Sequence, residues 1–295
     1  MKHPATRDTI FSEQAEILMH EEQPANQYIL RLQAPLTAAR ARPGCFVHIQ
    51  CDNDLQMRRP MSIMRADTGA GWIDILYKIH GLGTGKLARR KAGQYLDLLG
   101  PIGMPFKLKN YRRLPLLIGG GVGIPPMVYL AEHMKQFMPD VRPLVIMGSE
   151  IPFPFKIRPS QIMIDGIAAD IIATMPLLED WKIPCRLTSC NDYAGCYQGY
   201  VTDLARQWLD SLNDNSLENV EIFACGPTPM LRAASFLAQE YGLPCQISVE
   251  EYMACAVGGC AGCTVEIQTG NGPAMKRVCV DGPVFEAATV FPLPA

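Results

Sequence analysis

The sequence contains no cluster of basic residues and no long apolar run. Its 27 Lys and Arg are balanced by 29 Asp and Glu, which leaves a formal net charge of −2. Charge of this kind attracts neither nucleic acid nor an anionic membrane surface. No stretch approaches the roughly 20 apolar residues of a membrane-spanning helix, and the N-terminal residues contain no signal-peptide core. We therefore expect a cytoplasmic protein with no membrane span and no nucleic-acid partner.

The composition is otherwise that of a globular protein, with one excess. The chain has 295 residues, of which 48% are hydrophobic and 19% charged, and this length suits two or three domains. It contains 11 cysteines, a high number for a compartment in which disulfides are rare. The positions of the cysteines are therefore the first guide to function.

Four cysteines near the C-terminal end have the spacing of an iron–sulfur site. Cys255 and Cys260 are separated by four residues, Cys263 follows after two more, and Cys279 comes after a gap of fifteen. This C-x4-C-x2-C…C pattern is that of a plant-type [2Fe–2S] site. The four thiols are therefore the predicted metal ligands.

The glycines between these cysteines favour a cluster. A loop around a compact cluster needs positive φ angles and main-chain N–H groups directed at sulfur, which side chains at Gly258, Gly259 and Gly262 would obstruct. A four-thiolate zinc site is an alternative, but such sites usually present two close Cys pairs, and only Cys260 and Cys263 form one. Disulfides and four unrelated buried thiols are further alternatives, and the expected reducing compartment disfavours the disulfides.

Most of the other cysteines are expected to be structural, because free cysteine often behaves as a small buried hydrophobe. Three of them have a C-x4-C-x5-C spacing without a close pair or a glycine-rich loop, and three more lie in or beside strand-like runs. The first group is Cys185, Cys190 and Cys196, and the second is Cys45, Cys51 and Cys245.

The first hundred residues predict a small antiparallel β-barrel. Short runs with β character alternate with proline and glycine, as in all-β domains. The clearest runs are residues 28–33, 45–50, 61–64 and 72–79, and a closing strand is expected within residues 95–106. We expect the barrel to end near residue 109.

Three segments of this barrel carry groups that bind nucleotides. Arginine offers a planar fork for phosphate, and a glycine-rich helix start exposes main-chain N–H groups that suit a pyrophosphate. Such a helix is expected to begin at Gly83 and to run past Lys86. Taken singly, each segment also has a structural explanation as a surface charge or a hairpin. The candidate cofactor-binding residues are Arg59, Pro60, Met61 and Ser62, then Leu76, Tyr77 and Lys78, then Gly83 and Thr84.

From residue 114 onward the pattern becomes an alternation of strands and helices. Residues 114–118 are apolar, 119–126 are rich in glycine, and 127–138 have apolar residues at helical spacing. This is a β-turn-α unit of the dinucleotide-binding kind. Its candidate binding residues are Gly120, Gly121 and Gly123, while Pro126 replaces the third glycine of the usual fingerprint.

The rest of this region predicts more of the same alternation around an insertion. A strand at residues 142–147 precedes Glu150, whose carboxylate would favour NAD over NADP by repelling a 2′-phosphate. Residues 151–173 are proline-rich and aromatic, and we expect them to pack or to contact a partner. Further helices are expected at 175–182 and 199–212, and further strands at 185–189 and 220–224. Cys225, Gly226 and Pro227 follow the last strand, at the start of another predicted helix.

Taken in chain order, the nucleotide-binding segments of the barrel, the glycine-rich turn and the Cys-Gly-Pro segment resemble those of the ferredoxin–NAD(P)+ reductase superfamily. In that family an Arg-x-x-Ser segment, here Arg59 to Ser62, and a later Gly-Thr, here Gly83-Thr84, hold FAD. A strand that ends in Cys-Gly-Pro lies at the nicotinamide end. The resemblance thus implies that Cys225 is a catalytic residue close to the ring that transfers hydride, and that Gly226 and Pro227 bind the dinucleotide.

With the C-terminal cysteines included, nearly the whole chain is similar to the electron-transfer subunits of class 1B dihydroorotate dehydrogenase. The resemblance implies a multidomain β plus α/β fold. Its parts would be an antiparallel FAD-binding barrel at residues 1–109, a parallel-sheet NAD-binding domain at 110–245 and a small [2Fe–2S] module at 246–295. The insertion at 151–173, the stretch before Gly199, and Cys45, where the family usually has glutamine, depart from the pattern.

The resemblance also implies a partner. Electrons would pass between NAD(H) as substrate, FAD, the [2Fe–2S] cluster and an FMN-containing catalytic subunit of pyrimidine biosynthesis, in a heterotetramer of two plus two subunits. The three modules account for the printed sequence without the roughly 250 residues of a barrel for FMN and dihydroorotate. Two alternatives stay open, namely a reductase component serving another dehydrogenase or an oxygenase, and a non-enzymatic zinc-binding regulatory module.

Overall fold

A computed structural model describes residues 9–108 and 112–293. These residues form two compact units. One contains the described residues up to Phe106 together with Val249–Val284, and the other contains Lys107–Ser248 together with the described residues from Phe285 onward. No helix within the described ranges is both long and apolar enough to cross a bilayer.

The first unit is built on a closed antiparallel barrel of six strands, as predicted. The strands follow one another around the barrel in the order β1-β2-β5-β4-β3-β6, and alternate side chains such as Leu30, Ile63, Ile75 and Leu98 are fully buried. The strands are β1 (Phe11–Gln23), β2 (Gln27–Gln33), β3 (Phe46–Ile49), β4 (Arg59–Asp67), β5 (Trp72–Lys78) and β6 (Tyr95–Ile102), with short helices α1 (Pro35–Arg40) and α2 (Gly81–Leu87).

The bounds of α2 correct the prediction for this helix. It begins at Gly81 rather than Gly83, and it runs one residue past Lys86, to Leu87. The hydroxyl of Thr84 accepts a hydrogen bond from the main-chain N–H of His80 at 2.6 Å, which closes the first turn two residues earlier than the glycines suggested. The glycine-rich segment is therefore part of the helix and not the loop before it.

The second unit contains a seven-stranded sheet in the order β12-β11-β8-β7-β13-β14-β17. The pairs from β12 to β14 are parallel, which confirms the predicted parallel-sheet domain. Its strands are β7 (Leu114–Gly120), β8 (Leu144–Gly148), β11 (Cys185–Ser189), β12 (Tyr197–Gln198), β13 (Val220–Cys225), β14 (Cys245–Ser248) and β17 (Val284–Glu286). The helices are α3 (Ile124–Phe137), α4 (Pro176–Asp180), α5 (Val201–Asp210), α6 (Asp214–Leu217), α7 (Thr228–Glu240) and α8 (Ala287–Val290).

The turn after β7 is shorter than predicted. A single 3-10 turn spans Gly121–Gly123, and α3 begins at Ile124, three residues before the expected start. Pro125 and Pro126 therefore lie in the first helical turn, where a missing N–H costs nothing and the fixed φ of proline suits the helix.

The insertion at residues 151–173 packs within the second unit. It contributes the two short antiparallel strands β9 (Arg158–Pro159) and β10 (Ala173–Thr174), and it buries Phe153. The buried Arg186 donates a hydrogen bond to the carbonyl of Ile162 at 2.6 Å. Packing is therefore the structural role of this insertion.

The last part of the first unit, Val249–Val284, carries the four candidate ligand cysteines. It contains one antiparallel hairpin, formed by β15 (Thr264–Thr269) and β16 (Gly272–Arg277). Beyond this hairpin the N–H of Met104 donates to the carbonyl of Gly282 at 2.6 Å, so the segment is joined to the end of the barrel.

The division into modules at 1–109, 110–245 and 246–295 remains a proposal. Compactness groups residues by contact, whereas that division groups them by the cofactor they are expected to hold. The boundary between residues 109 and 110 lies outside the described residues.

A substitution at Phe223 can test how much the core of the seven-stranded sheet contributes to stability. It is fully buried on β13 between β7 and β14. We expect Phe223→Ala to lower the free energy of unfolding by about 3–5 kcal/mol, because the change removes buried contacts and leaves a cavity. Urea unfolding followed by circular dichroism measures the loss. Phe137→Ala, at a position on α3 that is 68% exposed, is the control and should cost less than about 1 kcal/mol. Equal losses from the two variants would contradict the core assignment.

Candidate functional site

The four predicted ligand cysteines lie in two close pairs. In the first pair, the main-chain N–H of Cys260 donates to the sulfur of Cys255 at 3.3 Å, and the two side chains are within hydrogen-bonding reach. In the second pair, the thiol of Cys279 lies within hydrogen-bonding reach of Cys263. Cys263 and Cys279 are buried, whereas Cys260 is exposed.

This arrangement fits a two-iron cluster better than one zinc ion. A [2Fe–2S] cluster takes four cysteines, two on each iron, whereas a structural zinc ion draws four ligands to a single centre at about 2.3 Å. The donor set and its pairing therefore match the cluster.

The backbone of the thiol loop differs in part from the expectation. Gly258 has the expected positive φ, 83°, but the other two positive values fall on Ala256 and Ala261, at 56° and 53°. Gly259 and Gly262 lie beside the thiols. A Cβ added there would stand in ordinary contact with the sulfurs of Cys255 and Cys260, at 4.0 and 3.6 Å.

Main-chain N–H groups are directed at sulfur, as predicted. Gly262 donates to the sulfur of Cys260 at 3.4 Å, in addition to the Cys260 contact described above. Burial raises the pKa of the Cys255 thiol, but the N–H groups of Val257 and Cys260 outweigh it and bring that pKa down to about 7. Burial and the neighbouring Cys263 raise the pKa of Cys279 to about 12. The loop thus favours the thiolate form of Cys255.

Arg277 holds the loop from the hairpin side, a role that the sequence did not indicate. Its guanidinium donates to the carbonyl of Gly258 at 2.9 Å, and its main-chain N–H donates to the carboxylate of Asp281 at 2.8 Å. The only local sign of this role is that Arg277 lies two residues before Cys279. The contact with Gly258 could not be inferred from spacing, because it joins two ends of the loop.

The structure brings the predicted flavin-binding segments together. Strand β4 lies between β3 and β5 in the barrel, and Ile63 pairs with Ile75, so the segment from Arg59 to Ser62 runs alongside Leu76, Tyr77 and Lys78. Helix α2 contacts the same segment, since a Cβ on Gly83 would stand 2.9 Å from the Arg59 side chain. All three segments therefore meet at the start of β4.

Arg59 differs from the basic residues around it. Arg58 pairs with Asp97 at 2.8 Å, and both Lys86 and Arg90 pair with Asp52, at 3.0 and 3.3 Å. The guanidinium of Arg59 donates only to the main-chain oxygens of Met57 and Arg58, and it has no carboxylate partner in the described part of the chain. An uncompensated guanidinium beside a glycine suits the phosphates of a nucleotide.

The other predicted flavin residues lie in different environments. Met61, Leu76, Tyr77 and Thr84 are buried, Pro60, Ser62 and Gly83 lie beside Arg59 on β4 and α2, and Lys78 is exposed. The hydroxyl of Tyr77 and a ring nitrogen of His20 are 2.8 Å apart, and burial raises the pKa of Tyr77. These contacts fix Tyr77 in the barrel wall.

The predicted dinucleotide site lies where the strand order of the sheet reverses. From β7 the chain proceeds outward through β8, β11 and β12, whereas β13 leads the other way to β14. Open α/β sheets bind their ligands in the crevice at such a switch point, beyond the carboxyl ends of the strands. The turn with Gly120, Gly121 and Gly123 follows β7, and Cys225, Gly226 and Pro227 follow β13.

These two turns are in direct contact. Gly119 pairs with Cys225 across the sheet, and a Cβ on Gly123 would overlap the carbonyl oxygen of Cys225. Only glycine therefore fits at position 123. Cys225 is fully buried, and Gly121 has a φ of 54° with open space where a side chain would be.

Met230 on α7 is part of this site and was not predicted. A Cβ on Gly120 or Gly226 would stand 2.5 to 3.1 Å from its sulfur, so its side chain packs under both turns. Methionine at helical spacing gives no sign of such a role. Glu150 is exposed after β8, and Asn191 donates to its main-chain oxygen at 3.0 Å.

The remaining cysteines are mostly structural in their surroundings. Cys45, Cys51, Cys185 and Cys245 are buried, as expected, and burial raises the pKa of each thiol, to about 11 for the first three. Cys196 is half-buried, and Cys190 is exposed.

Comparisons with known proteins agree with this geometry. Residues 250–291 match the model of the iron–sulfur cluster binding domain of dihydroorotate dehydrogenase B. The chain is 31% identical to the dihydroorotate dehydrogenase B (NAD(+)) electron transfer subunit of Shouchella clausii, over 93% of this chain and 96% of that protein. It is 33% identical to the subunit of the same name from Bacillus caldolyticus, over 89% and 92%.

Solved structures have the same architecture. An NADH-dependent reduced ferredoxin–NADP oxidoreductase, studied for flavin-based electron bifurcation, superposes with a TM-score of 0.74 at 25% identity, covering 94% of this chain and 90% of that one. A ferredoxin NADP+ reductase from Neisseria gonorrhoeae has the same fold at 14% identity, with a TM-score of 0.57 and coverage of 80% and 93%. The chain belongs to the family of dihydroorotate dehydrogenase B electron transfer subunits.

Proposed function

We propose that this chain carries electrons between NAD(H) and a catalytic dehydrogenase subunit. Its four paired thiols hold a [2Fe–2S] cluster, the strand that begins at Arg59 holds FAD, and the turns after β7 and β13 hold the dinucleotide. The observation that carries the proposal is the arrangement of the thiols in two close pairs, within the same compact unit as the barrel and its uncompensated Arg59.

The bound cofactors supply the redox chemistry, and the residues of this chain bind and position them. When bound, FAD exchanges a hydride with nicotinamide and single electrons with a cluster. Arg59 supplies positive charge for the phosphates of FAD, and Gly83 lets the guanidinium lie close to α2. The N–H groups of Cys260 and Gly262 stabilise negative charge on the cluster sulfurs. Met230 and Cys225 support the two turns that would position nicotinamide.

The partner is inferred from the relatives. They are named as electron transfer subunits of dihydroorotate dehydrogenase B. We therefore infer an FMN-containing catalytic subunit that acts on dihydroorotate in pyrimidine biosynthesis, two copies of each subunit per complex, and a cytoplasmic location.

Exposed apolar side chains in the thiol segment support a contact with that partner. Tyr252, Val257 and Met275 are 88%, 51% and 61% exposed. Large apolar groups left in water are typical of protein contact surfaces. Docking on this segment would also shield the exposed Cys260 from oxidation.

Glu150 supports NAD as the dinucleotide. It is exposed beyond the end of β8, next to the strand that carries the glycine turn. A carboxylate at this point can bind ribose hydroxyls and repels a 2′-phosphate. The same carboxylate would disfavour NADP.

Anaerobic purification tests the proposed function directly. The protein should show flavin absorbance and contain about two iron atoms with labile sulfide per chain. Zinc without flavin would overturn the proposal in favour of a regulatory module. Association with a catalytic subunit that lacks dihydroorotate activity would favour a reductase for another dehydrogenase or an oxygenase.

The ligand assignment can be tested at Cys279. We expect Cys279→Ala to abolish the electron paramagnetic resonance signal of the reduced cluster and to leave flavin bound, because one iron would lose one of its two thiolates. Iron analysis and flavin absorbance measure both. Cys190→Ala, at an exposed cysteine outside the thiol loop, is the control and should keep both cofactors. A full cluster signal in Cys279→Ala would rule out this ligand.

The role of Cys225 can be tested separately. We expect Cys225→Ala to slow reduction of the flavin by NADH about ten- to a hundredfold, since small displacements of reacting groups have effects of this size. Stopped-flow flavin absorbance measures the rate, and the cluster signal should be unchanged. Cys245→Ala removes the same atom from a buried position on the neighbouring β14 and should leave the rate near that of the unmodified protein. Equal rates in the two variants would refute the assignment.

A further inference from the structure

A half-buried carboxylate joins helix α2 to the β3–β4 loop, residues 51–58. The side chain of Asp52 accepts hydrogen bonds from the ammonium of Lys86 at 3.0 Å and from the guanidinium of Arg90 at 3.3 Å. It also accepts from the main-chain N–H of Asp54 at 3.1 Å. Asp52 is not among the candidate cofactor residues, so this link needs an explanation of its own.

The contacts of Asp52 are stronger than those of an ordinary surface ion pair. Single exposed pairs contribute little to stability, whereas several charges held in one network contribute more. The side chains of Asp52, Lys86 and Arg90 are 23%, 27% and 21% exposed. The N–H of Asp54 and then Lys86 lower the pKa of Asp52, so its carboxylate is kept ionised. Asp54 itself pairs with Lys86 at 3.3 Å, but its side chain is 85% exposed.

Arg90 is fixed from a second direction, which makes it a firm partner for Asp52. Its guanidinium also donates to the carbonyl of Cys51 at 3.4 Å, and its own carbonyl accepts from a ring nitrogen of His20 at 2.8 Å. The other ring nitrogen of His20 is 2.8 Å from the hydroxyl of Tyr77 in the barrel wall. The residues that follow α2 are therefore tied both to the β3–β4 loop and to the barrel.

The same loop and the same helix hold Arg59. On the loop side, the guanidinium of Arg59 donates to the carbonyls of Met57 at 2.9 Å and Arg58 at 3.2 Å. On the helix side, a Cβ added to Gly83 would stand 2.9 to 3.1 Å from three atoms of that guanidinium. The position of Arg59 thus depends on the spacing between the β3–β4 loop and α2, which is the spacing that Asp52 bridges.

We propose that Asp52 is a positioning residue that fixes this spacing and thereby holds the guanidinium of Arg59 in place for the phosphates of FAD. The inference rests on the proposed function, in which Arg59 binds those phosphates. Asp52 acts through the loop and the helix and need not touch FAD. Its pairing with Lys86 and Arg90 also keeps these two cations from drawing the phosphates away from Arg59.

The first test compares two substitutions in the β3–β4 loop of the holoprotein. Asp52→Asn keeps the size of the side chain and an oxygen for the N–H of Asp54, but it removes the charge. We expect Asp52→Asn to release FAD about three- to tenfold faster, because two ion pairs of modest strength are weakened. The rise in flavin fluorescence after dilution measures the rate. Asp54→Asn, the same change at the exposed neighbouring carboxylate, should alter the rate by less than about twofold.

The second test asks whether Asp52 acts through Arg59. Arg59→Lys keeps the positive charge and removes the planar fork that Asp52 is proposed to position. In the Arg59→Lys protein, we expect the further change Asp52→Asn to accelerate FAD release by less than about twofold. Non-additive effects of this kind identify residues that act together. A purely structural role of Asp52 would give the same acceleration in both backgrounds.

Four results would overturn the inference. One is an Asp52→Asn protein that releases FAD no faster than the unmodified protein, and another is equal acceleration by Asp52→Asn and Asp54→Asn. The third is an equal effect of Asp52→Asn with Arg59 and with lysine at that position. The fourth is unmodified protein that contains no flavin, and only this result would also remove the proposed function.

Discussion

The candidate path of electrons between flavin and cluster depends on one constraint. After the second unit, the segment Val249–Val284 returns to the barrel and packs in the same compact unit. After the second unit, the N–H of Met104 binds the carbonyl of Gly282, and Val249 binds the carbonyl of Pro283. Gly103 leaves no room for a Cβ beside Pro283, and Gly44 leaves little beside Val284. These contacts place the thiol loop in the same compact unit as the strand that begins at Arg59. The groups proposed to exchange single electrons are therefore held by one continuous set of contacts.

A steric constraint of the same kind shapes the second unit. The crevice at the switch point depends on two turns that approach until Gly123 meets the carbonyl of Cys225. Any side chain at position 123 would separate β7 from β13 or displace the turn after β13. The glycine motif is thus needed for contact between two loops of the protein, in addition to any contact with a pyrophosphate.

Much of this architecture could be predicted from the sequence because its signals are local. Short runs with β character between prolines and glycines indicated the barrel strands, apolar strands alternating with helices indicated the parallel sheet, and cysteine spacing indicated the thiol loop. Helix starts were less predictable, because Thr84 closes the first turn of α2 through a side-chain hydrogen bond and α3 begins at Ile124, directly after the glycine-rich turn. Composition alone does not determine such boundaries.

The features that could not be predicted depend on residues distant in sequence. Arg277 binds Gly258 across the thiol loop, and Met230 packs beneath turns that follow two different strands. Positive φ angles at Ala256 and Ala261 contradict the simple expectation that glycine marks every such position. The fold imposes these conformations on alanine, and a Cβ at Gly259 or Gly262 would lie only in ordinary contact with sulfur. The positions of the glycines therefore did not predict the backbone angles of the loop.

Arg59 differs from the other basic residues of the barrel in how its charge is met. Within the barrel, Arg31 is paired with Asp74 at 2.7 Å and Arg58 with Asp97 at 2.8 Å, so neighbouring carboxylates neutralise both of these cations. Arg59 has no such partner among the described residues. His48, close to Arg58, is kept neutral by burial. If β4 holds the flavin as proposed, the phosphates would meet the guanidinium of Arg59, which donates to main-chain oxygens of Met57 and Arg58. At the thiol loop the charge is met differently, because the main-chain N–H groups of Cys260 and Gly262 are directed at the sulfurs of Cys255 and Cys260 and can stabilise negative charge there.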